Sequence, residues 1–179
     1  MAEAFINQVN RAVGIVTSSS NASIGVGLTW MSGISTAHVA INDLVDNANF
    51  IAGTKVTLVG VSSVQLDRAS TNTAAATASN VSFLGPTTSY TSASATKSIL
   101  IGGTFANNTA NSVNLTVTVY DNSTTTESQL ASKIPVPTGS SFVISDAGKT
   151  VLEGDDEVRV YCDTENAIDV NLSILKGVS

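Results

Sequence analysis

The residues of this chain that could carry out chemistry are few, and they lie far apart in the sequence. His38 is the only histidine and Cys162 the only cysteine. A serine–histidine–aspartate arrangement could use His38, but the chain has no Gly-x-Ser-x-Gly motif that would present a nucleophile. We therefore interpret His38 as an ordinary strand or turn residue. Cys162 alternates with Val158 and Val160, which predicts a core position and no catalytic role.

The densest charged group is acidic and consists of Glu153, Asp155, Asp156 and Glu157. Oxygen ligands on a turn can bind calcium, but this group lacks the alternating Asp-x-Asp-x-Asp-Gly spacing of a dedicated calcium loop. Paired carboxylates can also hydrolyse glycosides, and nothing else in the sequence supports that chemistry here. We interpret the group as a solvated hairpin turn, and we expect neither a metal nor a cofactor.

Aromatic side chains could contact a partner or stack on a sugar ring. Trp30 alternates with Val26 and Leu28, which predicts a core position. Tyr120 and Tyr161 fall on polar faces, where a phenol ring can join an apolar contact to a hydrogen bond. These two tyrosines are therefore candidate contact residues.

Strands are the elements that must position these residues. In Ser112–Tyr120, and in Ala167–Lys176 from Ile168 to Ile174, apolar and polar residues alternate. This period of two predicts extended segments with one buried face and one wet face. On the first segment the predicted wet face is formed by small polar residues and one tyrosine: Asn114, Thr116, Thr118 and Tyr120.

The composition predicts an all-β protein. Ser, Thr and Asn are abundant, and these residues compete with the helical backbone, whereas Thr and Val suit a pleated sheet. The 179-residue chain is 42% hydrophobic and only 12% charged, with a net charge of −6. This charge argues against a nucleic-acid partner. No apolar run approaches the ~20 residues that span a bilayer, and no secretory signal pattern is present, so we expect a soluble protein made in a cytoplasm.

The turn and boundary signals along the chain predict an N-terminal arm and two small β-domains. We expect the arm over residues 1–20, one β-domain over residues 21–85 and a second over residues 86–179, with an exposed loop at Ala69–Asn80. The second domain is predicted to be an antiparallel seven-strand sandwich or jelly-roll-like unit. Its predicted strands are Lys97–Phe105, Ser112–Tyr120, Glu127–Ile134, Ser141–Ser145, Thr150–Glu153, Glu157–Asp163 and Ala167–Lys176.

The N-terminal stretch has apolar residues without an obvious partner strand nearby. They are Phe5, Ile6, Val9 and Val13. Two interpretations remain open at this point: the stretch is the first strand of the chain's own sheet, or it is an arm that adds to the sheet edge of a neighbouring protein. In the second case these four residues are candidate partner contacts.

Two stretches resemble proteins of tailed bacteriophages. Residues 41–66 contain Ile-Asn-Asp-Leu-Val, Phe-Ile-Ala-Gly-Thr-Lys-Val and Val-Gln-Leu. They look like a small β-unit of phage particle proteins and bacterial surface proteins, of the form V-G-D-x-V, I-x-x-G-T-x-V and V-x-L, although Asn42 replaces its glycine. Residues 133–175, with Lys-Ile-Pro-Val-Pro-Thr-Gly and Leu-Glu-Gly-Asp-Asp-Glu-Val-Arg-Val, are similar to the end of small virion proteins, especially of cyanobacterial and other marine phages. The opening Ala-Phe-Ile-Asn-Gln-Val-Asn is of the same style.

The resemblance implies a structural protein of the virion, assembled in the host cytoplasm. We expect a non-enzymatic protein, a head decoration or auxiliary protein, that assembles with other virion proteins and with further copies of itself through β-edges and apolar contacts. A neck, tail or baseplate component is the first alternative. A glycan-binding module for host recognition, using Tyr120 and Tyr161, is the second.

Overall fold

In the computed structural model, residues 3–145 and 149–178 are described, and every regular element within them is a β-strand. The prediction of an all-β protein is therefore confirmed. The strands, in chain order from β1 to β15, are Ala4–Asn10, Ile15–Ile24, Trp30–Ser32, Leu44–Asp46, Val56–Val59, Ser63–Leu66, Ala76–Leu84, Thr87–Thr91, Lys97–Asn107, Val113–Asp121, Thr126–Val136, Ser141–Ile144, Thr150–Leu152, Glu157–Cys162 and Ile168–Val178.

The chain divides into two compact units. The sandwich unit contains the described residues up to Val13, residues 86–162 and the described residues from Asn166 onward. The closed-sheet unit contains residues 14–85 and 163–165. The arm predicted over residues 1–20 differs from this division, because β1 belongs to the sandwich unit and β2 to the closed-sheet unit. Residues 1 and 2 of that arm lie outside the described residues.

The sandwich unit consists of two antiparallel sheets. The first sheet has the order β1-β15-β9-β12, and β13 pairs with a second part of β9. The second sheet has the order β11-β10-β14-β8. Side chains from both sheets form one core, which includes Phe105 of β9, Leu115 of β10, Val160 of β14 and Leu172 of β15. Alternate residues of each strand supply this core because successive side chains of a strand point to opposite faces.

All seven strands predicted for the second domain are present, with ends that differ by no more than a few residues. The eighth strand in this part of the chain, β8, was not predicted. Its residues Thr-Thr-Ser-Tyr-Thr carry no apolar alternation, and they follow Gly85-Pro86, a typical boundary signal. β8 is nevertheless a strand because β14 pairs with it along one edge of the second sheet.

The closed-sheet unit is a six-stranded sheet in the order β4-β7-β2-β3-β6-β5. Its two end strands are joined by an antiparallel bridge between Leu44 and Lys55. The N–H of Val45 donates to the carbonyl of Thr54 at 2.9 Å, and the N–H of Val56 donates to that of Asp43 at 2.9 Å. The sheet is thus closed on itself around an apolar interior that includes Ile24, Met31, Val64 and Phe83.

Two sequence predictions in the closed-sheet unit are wrong. Val26, Leu28 and Trp30 are about half exposed rather than buried, because the chain turns after β2 and Gly27 adopts a φ of +63°. The turn interrupts the period of two, so that Met31 is the residue of β3 that enters the core. The exposed loop predicted at Ala69–Asn80 ends earlier than expected, since β7 already begins at Ala76.

Candidate interaction surfaces

The structure keeps the chemistry-bearing residues of the sequence apart. His38 is exposed with a φ of +64°, and its side chain forms no hydrogen bond or ion pair with another described residue. Cys162 is buried in the sandwich core, which confirms its interpretation as a core residue. Across residues 3–145 and 149–178, no group of three or more His, Cys, Asp or Glu side chains is arranged to hold a metal ion.

The acidic group forms the turn between β13 and β14, and its carboxylates have separate partners. Asp156 is buried and accepts the backbone N–H of Glu153 at 2.9 Å and that of Asn122 at 3.1 Å. Glu153 pairs with Lys97 at 3.0 Å on the surface. Asp155, at a φ of +70°, accepts a hydrogen bond of 2.5 Å from the hydroxyl of a nearby serine. The group therefore organises a turn.

The outer face of the second sheet carries a cluster of polar side chains joined by hydrogen bonds and a cation–π contact. The guanidinium carbon of Arg159 lies 3.8 Å from the centre of the Tyr120 ring, and its Nε donates to Glu157 at 2.8 Å. The hydroxyl of Thr88 donates to the same carboxylate oxygen at 2.6 Å. Burial raises the pKa of Glu157, but the hydrogen bonds from Arg159 and Thr88 and the charge of Arg159 outweigh it, so that the pKa lies below its ordinary value of 4.5.

Tyr120 and Tyr161 share this outer face but are not brought together. Tyr120 is opposite Glu157 in the β10–β14 register, whereas Tyr161 is opposite Thr116, four residues away along β10. At about 3.4 Å per residue this places the backbone positions of the two tyrosines roughly 13 Å apart along the strands. Both side chains are half-buried, and one face of the Tyr120 ring is covered by Arg159. The two tyrosines therefore do not form one stacking platform.

The predicted wet face of β10 is partly wrong. Thr116 and Thr118 are buried, because they stand opposite the longer side chains of Tyr161 and Arg159. Their hydroxyls are bonded to β11: that of Thr116 accepts the N–H of Lys133 at 3.2 Å, and that of Thr118 donates to a glutamate carboxylate at 2.5 Å. Thr116 and Thr118 therefore form hydrogen bonds within the sandwich unit and are not exposed to solvent.

The outer face of the first sheet carries a row of four apolar side chains. In the register of the sheet, Phe5 of β1 is opposite Leu175 of β15, Leu175 is opposite Ile99 of β9, and Ile99 is opposite Val151 of β13. We call this row the apolar stripe. Phe5 is 77% exposed and Val151 54% exposed, and the two central residues are partly exposed. Directly opposite residues on one face have Cβ atoms about 4.5–5.5 Å apart, so the four side chains are contiguous.

The N-terminal candidate residues separate into two groups. Phe5 and Val9 lie on the exposed face of β1. Ile6 points the other way and packs against the sandwich core, and Val13 is buried within that core. Ile6 and Val13 are therefore unavailable as partner contacts, because the alternation of β1 directs Ile6 inward and the chain carries Val13 into the core after the strand ends.

The central residues of the stripe were missed in the sequence, although a signal was present. Ile99-Leu100-Ile101 and Ile174-Leu175 are runs of adjacent apolar residues within strands. Adjacent residues of a strand point to opposite faces, so each run places apolar side chains both in the core and outside it. Leu100 and Ile174 are the buried members.

A second exposed apolar surface lies on the closed-sheet unit. Trp30 is 45% exposed and stands opposite Gln65 of β6, which in turn stands opposite Leu58 of β5. Leu28 and Val26, in the turn before β3, are also exposed. An exposed tryptophan beside a glutamine amide combines a flat apolar surface with hydrogen-bonding groups. We call these residues the Trp30 surface.

The described residues contain no helix that is long and apolar enough to cross a membrane. Comparison of the chain with known proteins finds no matching family model, no matching curated protein and no matching solved structure.

Proposed function

We propose that the chain is a non-enzymatic structural protein of a tailed-bacteriophage particle, which binds other virion proteins through the outer face and open edge of its first sheet. Among positions in the particle we favour head decoration over the neck, tail or baseplate. The observation that carries this proposal is the apolar stripe, which runs from the edge strand β1 across four strands in register.

Two further features support an assembly role. Contiguous exposed apolar side chains are typical of protein–protein contacts, whereas single exposed ones need no explanation. The strand β1 is also the end of its sheet, and an unpaired strand edge can accept a strand from another chain. The virion context itself rests on the resemblance of residues 41–66 and 133–175 to phage particle proteins.

The stripe can be tested in phage particles with one exposed residue and a matched control. Val151→Lys places a charge in the stripe, while Val61→Lys makes the same change at a 97% exposed residue of the closed-sheet unit. In phage that carry each variant, we expect quantitative mass spectrometry of purified particles to find Val151→Lys strongly depleted and Val61→Lys at the wild-type level. Absence of the wild-type protein from purified particles would refute the proposed function.

A second candidate function is glycan binding, which the exposure of Trp30 favours. A tryptophan face can stack on a sugar ring while the neighbouring Gln65 amide bonds a hydroxyl group. The two tyrosines suggested by the sequence are less suitable, because they lie apart and Arg159 covers one of them. Binding of the protein to a glycan array, lost in Trp30→Ala and kept in Tyr161→Ala, would support this function over the first.

A further inference from the structure

The strand β1 is the least protected edge of the sandwich unit. It pairs with β15 over seven residues without a register shift, and no other strand in the described part of the chain pairs with it. Ala4–Asn10 contains no charged residue and no proline. Proteins usually protect such edges with charges, prolines, bulges or short strands, because an open edge invites pairing with another chain.

The other edges of the two sheets carry these protective features. β11 contains Glu127, Lys133 and Pro135, and its pairing with β10 has two register shifts. β12 and β13 are only four and three residues long, and the five-residue β8 pairs with β14 through a register shift. The contrast indicates that β1 is kept open for a partner strand.

The residues on the exposed face of β1 show what partner strand would fit. Exposed and half-buried residues alternate from Glu3, just before β1, to Arg11, the bend residue just after it, so that Glu3, Phe5, Asn7, Val9 and Arg11 are all exposed. This series is acidic, apolar, polar, apolar and basic in order. Reversed, it is basic, apolar, polar, apolar and acidic. When two copies of this series run in opposite directions, the acidic residue of each lies opposite the basic residue of the other, and the apolar residues lie opposite each other.

We propose that β1 pairs antiparallel with β1 of a second copy of this chain, about a two-fold axis at Asn7. In this register Glu3 stands opposite Arg11 of the partner subunit, Phe5 opposite the partner's Val9, and Asn7 opposite the partner's Asn7. The ion pair and the apolar pair each occur twice by symmetry. Opposite charges and aromatic–β-branched pairs directly across two strands are stabilising.

Neighbouring registers fit less well. Opposed residues of two paired strands must lie on the same face of the sheet. The register can therefore shift only by an even number of residues, which keeps exposed residues opposite exposed residues. Centring the pair on Ile6 places Glu3 opposite the partner's Val9, and centring it on Gln8 places Arg11 opposite the partner's Phe5. Both shifts leave the charges unpaired. In the monomer Arg11 is only weakly engaged, by Asp169 at 3.7 Å, with 83% of its side chain exposed.

The dimer would extend the apolar stripe. Because the two-fold axis is perpendicular to the sheet, the exposed faces of both copies lie on the same side. The row of Val151, Ile99, Leu175 and Phe5 then continues onto the partner's Val9. The inference rests on the proposed function, since it names the partner of an edge that the proposed function uses for assembly.

Charge reversal tests the pairing without disturbing the core. Glu3→Arg and Arg11→Glu each create two repulsive pairs per dimer, and the double variant restores attraction with the charges exchanged. By sedimentation velocity over a range of concentrations, we expect a wild-type dimer, at least about tenfold weaker association in each single variant, and recovery in the double variant. Arg68→Glu, the same change on the closed-sheet unit, should leave the dimer intact. A monomeric wild-type protein, or a double variant as weak as the single variants, would overturn the proposal.

A cysteine at the two-fold axis tests the register itself. Opposite Cα atoms in antiparallel strands are about 4.5–5.5 Å apart, within the range that a disulfide bridges. Asn7→Cys should therefore form a disulfide-linked dimer on mild oxidation. Val9→Cys is equally placed on the exposed face, but its two copies would be four residues out of register, roughly 13 Å apart along the strands. Equal cross-linking of both variants would refute the register.

The two proposals fail separately. If the Glu3→Arg variant stays dimeric while Val151→Lys is lost from particles, the strand pairing is wrong and the virion role stands. If the charge-reversal and cysteine results hold while the protein is absent from purified phage, the self-pairing stands and the virion role is wrong.

Discussion

The Arg159 guanidinium covers the Tyr120 ring with 3.8 Å between its central carbon and the ring centre. The contact exists because β10 and β14 pair antiparallel, with Arg159 opposite Thr118 and Glu157 opposite Tyr120. Glu157 then holds the guanidinium in place from the same strand, through a hydrogen bond of 2.8 Å. An arginine bonded to a carboxylate and stacked on an aromatic ring has little freedom left to bind a ligand.

We expect Tyr120 and Arg159 to be energetically coupled in the stability of the sandwich unit. A double-mutant cycle with Tyr120→Leu, Arg159→Leu and the double variant should give a coupling free energy of about 1 kcal/mol, because the guanidinium is partly desolvated. Urea unfolding followed by tyrosine circular dichroism provides the measurement, since all three tyrosines lie in this unit. Tyr120→Leu combined with Lys97→Leu, in the other sheet, is the control and should be additive.

The stability of the sandwich unit should decrease at acidic pH through Glu157. The pKa of Glu157 is lower in the folded than in the unfolded chain. The contribution of Glu157 to the free energy of unfolding is therefore complete above pH 4.5, and it is lost as the pH falls through the pKa of the folded state. Glu157→Gln should therefore destabilise the unit at pH 7 and lose most of this effect well below pH 4.5. An equal loss of unfolding free energy at both pH values would contradict this expectation.

The closed-sheet unit should respond to pH with the opposite sign through Asp43. Burial raises the pKa of Asp43, and the hydrogen bond that it accepts from the N–H of Ala40 at 2.7 Å offsets part of this effect. A raised folded pKa means that stability is lost as the pH rises from 3.8 through the folded value.

We therefore expect Asp43→Asn, which keeps an acceptor for the Ala40 N–H, to stabilise this unit at pH 7 and not below pH 3.8. Asp43→Ala leaves the N–H without its acceptor and should destabilise the unit by about 1–3 kcal/mol at either pH. The emission of Trp30 reports unfolding of this unit alone, because Trp30 is the only tryptophan. Stabilisation by Asp43→Asn that persists at low pH would count against the titration of Asp43 as its cause.

Substitution of Trp30 and of its neighbour Met31 by alanine should destabilise the closed-sheet unit to very different extents. Trp30 is 45% exposed, so Trp30→Ala should cost less than about 1 kcal/mol, whereas Met31→Ala empties a fully buried site and should cost about 2–5 kcal/mol. Acrylamide should also quench the emission of Trp30 efficiently in the native protein. A protected, blue-shifted tryptophan would place the side chain in the core, as its alternation with Val26 and Leu28 suggested.

The sequence predicted the sandwich strands well where alternation continues over many residues. Along β15, Ile168, Val170, Leu172 and Ile174 are all buried, as their spacing indicates. The prediction failed at Trp30 because alternation carries no information across a turn, where Gly27 changes the direction of the chain. It also failed at β8, a strand that exists because of a neighbour rather than because of its own apolar residues.

The candidate surfaces were only partly predictable. Phe5 and Val9 were identified as contact residues, but the sequence could not show that Leu175 and Val151 join Phe5 in one row. That row depends on pairings between residues that are far apart in the chain, from 52 positions for Ile99 and Val151 to 170 positions for Phe5 and Leu175. Tyr120 was identified from its polar face, while the arginine above it depends on the register of β10 and β14.

The bridge between Leu44 and Lys55 makes the two units differ in how readily a further strand can be added to their sheets. In the closed-sheet unit the bonds between residues 43–45 and 54–56 join the two end strands, so a strand added at this point would have to displace them. In the sandwich unit no described strand covers the free side of β1, and the two-fold pairing proposed above would occupy that side in a single step. A chain whose open β1 edge is occupied in this way combines self-association with resistance to fibre formation.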